Sequence, residues 1–371
     1  YIIRFGIFLK KKFKACIFRE DIIMNKNTGN KNMKRRPKPK PKKGKRKNKK
    51  VSGKTLIMFL LFEFIFTACT FPFLLLYGPF NNAKSTYVGA AMTSMTHQYL
   101  ATWFLSEEKI NKILGNNSTE ATDETTNASE INIPKVKDDT IEFYELADNP
   151  KFTGYYLVVK DPTRVKVGHT TKLNEEGQTT SQIAENYNAV AAVNGGAFVD
   201  QSSTSQWTGN GGIPSGIVMS GGEVVHNDLG EGNKKELLAI DKQGVMIVGK
   251  YSIDDLKERK IQEALSFGPT LVVNGKMTPM SGDGGWGIAP RTAIGQRQDG
   301  AIILLVIDGR GVGSLGATLK ETQEIMYQLG AVNAMNLDGG KSTTLYYDGE
   351  VRNTPSNSMG ERAIPTAIIV K

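Results

Sequence analysis

The hydrophobic pattern divides the chain into one long apolar run near the N-terminus and a later part built of short segments. Residues 55–77 are mostly apolar and carry Glu63 as their only charge, and this length fits one transmembrane helix. From about residue 140, short strand-like runs such as 154–161 and 188–196 alternate with turn signals. The pattern predicts an α+β domain with a mixed, largely antiparallel sheet rich in hairpins, preceded by a single N-terminal transmembrane helix.

Four dipeptides predict tight hairpin turns: Gly221-Gly222, Asn274-Gly275, Asp299-Gly300 and Asp348-Gly349. One stretch departs from the hairpin pattern, because strand 301–308 is followed by a glycine-rich loop, a helix and strand 331–338. A capping box at Thr318 and Glu321 begins that helix, and Gly330 is placed to end it. This order predicts one βαβ crossover with parallel strands.

The net charge of +10 is spread unevenly along the chain. Residues 1–54 carry 21 Lys and Arg against two acids, whereas residues 55–371 carry 26 against 35. The globular part is therefore acidic, which argues against a compact nucleic-acid-binding domain, and no nucleic-acid partner is expected. The run 34–50 holds 12 basic residues and three prolines and should be disordered. Since basic residues before a transmembrane helix stay cytoplasmic, the domain should lie outside the cell membrane.

Together these patterns predict four regions: a basic cytoplasmic leader at 1–54, the transmembrane helix at 55–77, a stalk and polar linker at 78–139, and the domain at 140–371. For the apolar run, a cleaved signal peptide is the alternative to a single-pass anchor. Residues 1–23 are expected to be an over-extended reading frame, with translation starting at Met24 or Met33. A genuine disordered tail is the alternative there.

Several common chemistries find no support in the sequence. No cysteine follows Cys69, so a disulfide framework, a cysteine zinc site and a thiol nucleophile are excluded from the domain. The run 340–343 resembles the end of a phosphate-binding P-loop, but Met335 stands where that motif needs glycine. The run 311–316 matches G-x-G-x-x-G, but too little chain follows it to complete a dinucleotide-binding fold.

The candidate chemistry lies in polar residues beside glycines at strand ends: Asn194-Gly195-Gly196, Arg291-Thr292, Asp308-Gly309-Arg310 and Asp338-Gly339-Gly340. Both aspartates follow the parallel strands, so they should lie at one sheet edge. The loop 311–317 leads into a helix N-terminus, which favours an anion. Arg291 and Arg310 could hold phosphate oxygens. The alternative for each single pair is an ordinary turn.

Six segments in this order resemble the phosphodiester glycosidase family over roughly 185–371: VNGGAF, FGPTLVVNGK, PRTAIGQ, VIDGRGVGSLGATLKE, LGAVNAMNLDGGKSTTLYYDGEVRNTPS and ERAIPTAIIV. The resemblance implies hydrolysis of a sugar-1-phosphodiester to a free sugar and a phosphomonoester. It implies substrate-binding roles for Asn194, Gly195, Arg291, Thr292, Arg310, Ser342, Asn353 and Arg362, and it also covers Asp308, Asp338 and Glu361. Two positions depart from the family pattern, because Ala197 replaces an aromatic residue and Lys341 replaces a small one.

Glycoside cleavage usually employs two carboxylates, and the catalytic candidates are Asp308, Asp338 and Glu361. Asp338 or Glu361 is expected to act as base or nucleophile, while Arg291 and Arg310 clamp the phosphate. No cofactor is required by the sequence. A divalent cation held by Asp308 and Asp338 is the alternative role for those two residues.

Two functions remain open. The first is an extracytoplasmic, membrane-anchored hydrolase, a glycosidase that acts on sugar-1-phosphodiesters of cell-wall or capsular glycopolymers. The second is a non-catalytic protein on the same scaffold that binds such a polymer or assists its biosynthesis, since the resembled family includes bacterial exopolysaccharide-associated proteins. Lys341 is the sequence feature that favours the second function.

Overall fold

The structure, a computed structural model, describes residues 52–93, 97–115, 125–147, 149–199, 210–311 and 313–371. The predicted leader and the proposed start at Met24 or Met33 lie outside the described residues, apart from the last positions of 1–54. Contacts divide the chain into two units, 1–59 and 60–371, and the sheets all belong to the second.

Seven α-helices occur in the described residues: α1 (Gly53–Tyr77), α2 (Asn81–Thr93), α3 (Tyr99–Thr102), α4 (Glu107–Gly115), α5 (Thr180–Asn186), α6 (Ile253–Glu258) and α7 (Leu319–Gln328). Helix α1 covers the apolar run predicted at 55–77. Its length and composition are sufficient to cross a membrane, properties that a signal sequence shares.

The residues after α1 form a small helical stalk. Helices α2, α3 and α4 pack with the end of α1 around a core of their own, which includes Leu76, Val88, Ala101, Leu105 and Ile110. Each of these side chains is at most 6% exposed. The stalk expected from the sequence is therefore folded and has its own hydrophobic core.

The segment that follows the stalk differs from the solvated linker predicted up to residue 139. The Thr126 hydroxyl donates to the Val248 carbonyl oxygen at 3.0 Å and accepts from the Val248 amide at 2.9 Å. Further along, the Asn132 amide donates to the Gln298 carbonyl oxygen at 2.8 Å. The chain thus contacts the folded domain by Thr126, because the Thr126 hydroxyl satisfies both backbone groups of Val248.

The domain contains seventeen strands in its described residues: β1 (Ile141–Glu145), β2 (Gly154–Val159), β3 (Val165–His169), β4 (Ala191–Asn194), β5 (Ile217–Ser220), β6 (Glu223–Asn227), β7 (Lys235–Asp241), β8 (Met246–Tyr251), β9 (Ile261–Ser266), β10 (Thr270–Val273), β11 (Lys276–Met277), β12 (Arg291–Arg297), β13 (Ile302–Ile307), β14 (Ala331–Leu337), β15 (Leu345–Tyr347), β16 (Glu350–Val351) and β17 (Thr366–Val370). They form three sheets, ordered β1-β2-β13-β12-β14-β10-β11, β16-β15-β4-β17-β3 and β6-β5-β9-β7-β8. All four predicted hairpin turns are confirmed, since each connects two paired strands.

The predicted α+β class is confirmed, and the crossover has a specific form. Strands β13 and β14 both pair with β12 in antiparallel fashion, so they run parallel to each other with β12 between them. Every strand pairing described in the sheets is antiparallel. Strands β13 and β14 are therefore parallel to each other but do not hydrogen-bond to each other, since β12 lies between them.

The two faces of the first sheet bury different cores. Along β12, Ile294 packs into the core shared with the second and third sheets, whereas Ala293 packs toward the core that contains Met326 of α7. The register pairs Thr292 with Val306 on one side and with Leu337 on the other. The chain segments after β13 and β14 therefore leave the sheet at the edge where β12 begins, as the sequence predicts.

Candidate active site

Asn194, the last residue of β4, holds three chain segments together at this edge. Its side-chain amide donates to the Asp338 carbonyl oxygen at 2.6 Å. Its side-chain oxygen accepts from the Thr292 hydroxyl at 2.7 Å and from the Thr344 amide at 3.1 Å. The side chain is fully buried, so Asn194 positions the Asp338 backbone within a closed network.

Two predicted glycines allow the backbone segments to approach closely. A Cβ on Gly195 would lie 2.5 Å from the Thr366 carbonyl oxygen, and a Cβ on Gly339 would lie 2.7 Å from the Pro290 carbonyl oxygen. Both distances are shorter than any ordinary carbon–oxygen contact. Glycine is therefore required for packing at these positions, and Gly195 contributes to the site by bringing β4 against β17.

Asp338 follows β14, and both its backbone amide and its backbone carbonyl oxygen are hydrogen-bonded. Its amide donates to the Gly195 carbonyl oxygen at 3.1 Å, while its carbonyl oxygen accepts from Asn194. One carboxylate oxygen accepts from the Gly339 amide at 3.0 Å. The residue is partly exposed, but its second carboxylate oxygen, Oδ2, is buried. A fixed backbone therefore holds the carboxylate just inside this edge of the sheet.

Asp308 follows β13 and is more deeply buried, at 5% exposed. Its carboxylate accepts from the Asn353 side-chain amide at 2.9 Å and from the Thr354 amide at 3.1 Å. Burial raises the pKa of Asp308, and these hydrogen bonds oppose the rise. Tyr155 lies nearby. Burial is the main cause of a raised pKa of Tyr155, and the negative charge of Asp308 adds to it.

Threonines between the two aspartates join their surroundings into one network. The Thr292 hydroxyl lies 3.4 Å from the Thr343 hydroxyl, and the Thr343 carbonyl oxygen accepts from Asn353 at 3.2 Å. Through these bonds the Asp308 region connects to Asn194 and hence to Asp338. The structure therefore brings Asn194, Thr292, Asn353 and both aspartates together, as the sequence predicts.

Arg291 does not occupy the position expected of a phosphate clamp. It is 4% exposed, and its guanidinium donates to the carbonyl oxygens of Ala317, Trp286 and Gly287 at 3.0, 3.2 and 2.7 Å. Burial, reinforced by the charge of Arg310, lowers the pKa of Arg291 to about 10. Arg291 remains cationic near neutral pH, but it serves to shape the loop before β12.

Arg310 is the arginine that the site exposes. It is an exposed residue in a left-handed conformation, with φ +60°. Its Nη1 lies 3.3 Å from the position of a Cβ on Gly340, so the guanidinium rests beside the loop that follows Asp338. The neighbouring Lys341 is also exposed. An anion at this edge would thus meet Arg310 and Lys341 rather than Arg291.

The predicted anion site at the loop 311–317 is not supported, because the helix end is already filled. The Thr318 hydroxyl accepts from the Glu321 amide, and the Glu321 carboxylate accepts from the Thr318 amide at 2.8 Å. The Lys151 ammonium binds the same carboxylate at 2.7 Å. The capping box is confirmed, and it places a carboxylate where the sequence suggested a phosphate.

Three further candidates contact other partners. Glu361 accepts from the Ser181 amide at 3.0 Å and from the Ser181 hydroxyl, so it caps α5. No hydrogen bond in the described residues joins it to either aspartate. Arg362 lies over the Phe198 ring, 4.8 Å from its centroid. Ser342 is 1% exposed, and its hydroxyl has no hydrogen-bond partner in the described parts of the chain.

A divalent cation would need further ligands besides the two aspartates. Within the ranges that the structure describes, no group of three or more His, Cys, Asp or Glu side chains is arranged to hold a metal ion. The Asp308 carboxylate oxygens already accept hydrogen bonds. The described geometry therefore gives no additional support to the metal-binding role considered for Asp308 and Asp338.

Sequence reasoning missed the residues that act through their backbone. The Thr354 amide binds Asp308, and the Thr344 amide binds Asn194. Tyr155, beside Asp308, was assigned only to a strand. A signal existed for the threonines, because Thr343 and Thr344 follow the Asp338 loop directly and Thr354 follows Asn353.

The fold and the site together define a class of protein. The Asp338 carboxylate, the buried Asp308 carboxyl with its raised pKa and the guanidinium of the exposed Arg310 lie at one sheet edge on a hydrogen-bonded frame. Carboxylates with different environments serve acid–base or nucleophilic chemistry, and arginine recognises phosphate. The arrangement is typical of a hydrolase site.

Comparison with known proteins identifies the family. A family model described as phosphodiester glycosidase matches residues 187–371, and the chain belongs to this family through that domain. A bovine (Bos taurus) protein named N-acetylglucosamine-1-phosphodiester alpha-N-acetylglucosaminidase is 28% identical over 196 residues, covering 48% of this chain and 35% of that protein. The SPbeta prophage-derived uncharacterized protein YomE of Bacillus subtilis (strain 168) is 27% identical over 218 residues, covering 57% of this chain and 31% of that protein.

The fold agrees with a solved structure. The catalytic domain of the zebrafish N-acetylglucosamine-1-phosphodiester alpha-N-acetylglucosaminidase superposes with a TM-score of 0.52 at 23% identity, covering 67% of this chain and 87% of that one. This likeness concerns the fold. The chain spans about a third of the length of the curated relatives described above.

Proposed function

We propose that the protein hydrolyses a sugar-1-phosphodiester and releases a free sugar and a phosphomonoester. The observation that carries this proposal is the carboxylate of Asp338, held by its hydrogen-bonded backbone, with the guanidinium of the exposed residue Arg310 beside the same loop. The family and the name of the bovine relative support the reaction class. The sugar is left open, since no contact in the site selects one.

The chemistry needs a base or nucleophile and a stabilised leaving group. In the proposed reaction, the bond between C1 of the sugar and the phosphate oxygen breaks, and the electron pair leaves with the phosphate. Arg310, with Lys341 beside it, stabilises the developing charge on the phosphomonoester. Asp338 either removes a proton from the attacking water or attacks C1 itself to form an intermediate that water then hydrolyses.

Asp308 has a positioning role in this proposal. Its carboxylate binds the Asn353 side chain and the Thr354 amide, and this pairing fixes the chain segment after β16. Since a buried carboxyl with a raised pKa can also donate a proton, the leaving oxygen could receive that proton from Asp308. A clamped phosphate is a good leaving group, so proton donation is the smaller contribution.

The proposal includes the location and substrate class. Helix α1 would anchor the domain outside the cell membrane, with the basic leader in the cytoplasm. The substrate would then be a cell-wall or capsular glycopolymer that contains sugar-1-phosphodiester links. Support comes from the apolar helix and the basic run that precedes it.

The test is release of free sugar by the full-length chain in detergent from a panel of methyl sugar-1-phosphodiesters. Asp338→Asn should lower kcat by about a hundredfold or more. Arg310→Gln should lower kcat/KM by about tenfold or more, and kcat with it, because one charge-assisted contact to the developing phosphomonoester is lost. Arg297→Gln, at the opposite end of β12, is the matched control and should leave both constants unchanged.

A non-catalytic polymer-binding function is the alternative. It would be supported by tight binding of a wall polymer together with no sugar release from any member of the panel. Equal activity of Asp338→Asn and the unchanged chain would contradict the assignment of Asp338 while leaving the reaction class in place.

A further inference from the structure

A cavity that lies apart from the candidate active site is rich in lysine. It has a volume of about 790 Å³ and is formed by the end of α1, helices α2 and α4, and the beginning of α7. Four lysines line it: Lys84, Lys109, Lys112 and Lys320. We call this space the lysine cavity.

The positive charge of the lysine cavity is not balanced by its own acids. Asp283 already accepts from the Thr86 hydroxyl at 2.9 Å and from the Gly285 amide at 2.9 Å. Glu321, the other acidic residue of the lining, is bound by Lys151, which lies outside the cavity. Hydrogen bonds from neutral donors leave the Asp283 charge in place, but four lysines against two carboxylates still give the lining a formal net charge of +2. Among the described residues, no salt bridge joins any of the four lysines to a carboxylate.

The walls of the lysine cavity are fixed by packing within the stalk. The Phe73 and Phe104 rings meet edge to face with centroids 5.6 Å apart, and the Tyr77 hydroxyl donates to the Phe104 carbonyl oxygen. The Lys109 ammonium lies over the Tyr77 ring, 5.3 Å from its centroid. The lysines are therefore carried on ordered helices rather than on a loose tail.

The position of the lysine cavity points to lipid as the source of its ligand. Leu76 and Tyr77, the last residues of the apolar helix α1, form part of its wall. Tyr77 of the lining is 55% exposed, and two aromatic residues close in sequence to the lining residues Asn81 and Leu105 are exposed as well, Phe80 at 50% and Trp103 at 76%. Exposed Trp and Tyr beside the end of an apolar helix are typical of the interface between membrane and water, where lysines attract anionic headgroups.

We propose that the lysine cavity binds the phosphate of an anionic phospholipid from the membrane that holds α1. The proposal rests on the membrane anchor and is independent of the glycosidase reaction. A soluble phosphate ester offers the same anionic group, but it would gain nothing from the aromatic and apolar surface around the cavity. Bound lipid would hold the stalk, and with it the loop at Asp283, at the membrane surface.

The experiment uses the full-length chain in nanodiscs that contain about one anionic phosphatidylglycerol per ten phosphatidylcholine molecules. Native mass spectrometry then counts the phosphatidylglycerol molecules that stay bound to the protein after the protein is released from the nanodisc. The variant Lys84→Gln/Lys109→Gln/Lys112→Gln should lose about a hundredfold in phosphatidylglycerol affinity, because each lysine near an anionic surface contributes about fivefold.

The matched control removes three exposed lysines of the domain, Lys242→Gln/Lys257→Gln/Lys276→Gln, and should retain phosphatidylglycerol like the unchanged chain. The basic run at 34–50 is the same in all three proteins, so its own attraction for anionic lipid cancels. Equal retention by the cavity variant and the control would overturn the proposal. A parallel titration with glycerol 1-phosphate and inorganic phosphate distinguishes the sources, since binding of either as tight as that of the lipid would overturn the lipid assignment.

The outcomes separate this proposal from the others. If the chain fails to enter the nanodiscs, the anchor and the lipid site are both wrong. If it enters them and retains phosphatidylglycerol no more than phosphatidylcholine, the lipid site is wrong while the anchor stands. Neither result changes the expected release of sugar, and loss of sugar release does not change the expected lipid preference.

Discussion

Replacing Asn194 by alanine should destabilise the domain strongly, because this side chain makes three hydrogen bonds at a fully buried position. Two of its partners are backbone groups, the Asp338 carbonyl oxygen and the Thr344 amide. In Asn194→Ala these groups lose their partner, while the space left is small and lies between packed strands. The Thr292 hydroxyl loses a partner too, but it can turn toward Thr343, 3.4 Å away.

The expected loss follows from the cost of an unpaired buried group, which is about 1–3 kcal/mol. Two backbone groups give about 2–6 kcal/mol, and the Thr292 hydroxyl adds little. We therefore expect the free energy of unfolding to fall by about 4 kcal/mol, a large share of the stability of a typical domain. A loss of this size should lower the urea midpoint by about 1–2 M.

The assay is urea unfolding of the full-length chain in detergent, followed by near-ultraviolet circular dichroism. Asn186→Ala is the matched control, since Asn186 makes its side-chain bond at an exposed position of α5, and its change should stay within about 0.5 kcal/mol. A loss below about 1 kcal/mol for Asn194→Ala would refute the reasoning, because it would show that water or relaxation replaces the network. Sugar release should fall more than stability explains, since Asp338 loses its support.

Two further predictions concern the remaining carboxylates. Burial raises the pKa of Asp308, so the folded chain binds this proton more tightly than the unfolded chain, and its contribution to stability decreases as pH rises from about 4 through the raised pKa. Asp308→Asn should remove this contribution to the pH dependence of stability, which is measured as the urea midpoint between about pH 4 and pH 7. If the urea midpoint depends on pH in the same way in Asp308→Asn and in the unchanged chain, the idea is wrong. Glu361→Gln should cost about 0.5–2 kcal/mol of stability through the weakened α5 cap and leave kcat unchanged; a hundredfold loss of kcat would restore Glu361 as a catalytic residue.

Local chemistry made much of the fold predictable. Turn dipeptides such as Asn274-Gly275 specify a backbone conformation that connects paired strands with little help from the rest of the chain, and Asn274 indeed has φ +50°. The capping box at Thr318 and Glu321 is equally local. The shared edge of Asp308 and Asp338 followed from the handedness and direction of one crossover.

Burial was the part that the sequence could not supply. Arg291 and Arg310 both lie beside a strand end, yet Arg291 is buried, at 4% exposed, and Arg310 is exposed. The difference arises from the loop at Trp286 and Gly287, whose carbonyl oxygens converge on the Arg291 guanidinium. Such convergence depends on long-range packing that no motif encodes, and the same is true of the contact between Glu361 and α5.

Lys341 illustrates how geometry changes the meaning of a departure from a family pattern. A lysine in place of a small residue would disrupt the loop if that position required a left-handed backbone. The left-handed conformation falls instead on Gly340, with φ +64°, and Lys341 is absent from the described residues with positive φ. Lys341 is exposed beside the loop that Arg310 contacts, so its side chain adds a cation without straining the backbone. The feature that favoured a non-catalytic function is therefore compatible with a site for a phosphate-bearing substrate, and its charge increases the attraction for the leaving group.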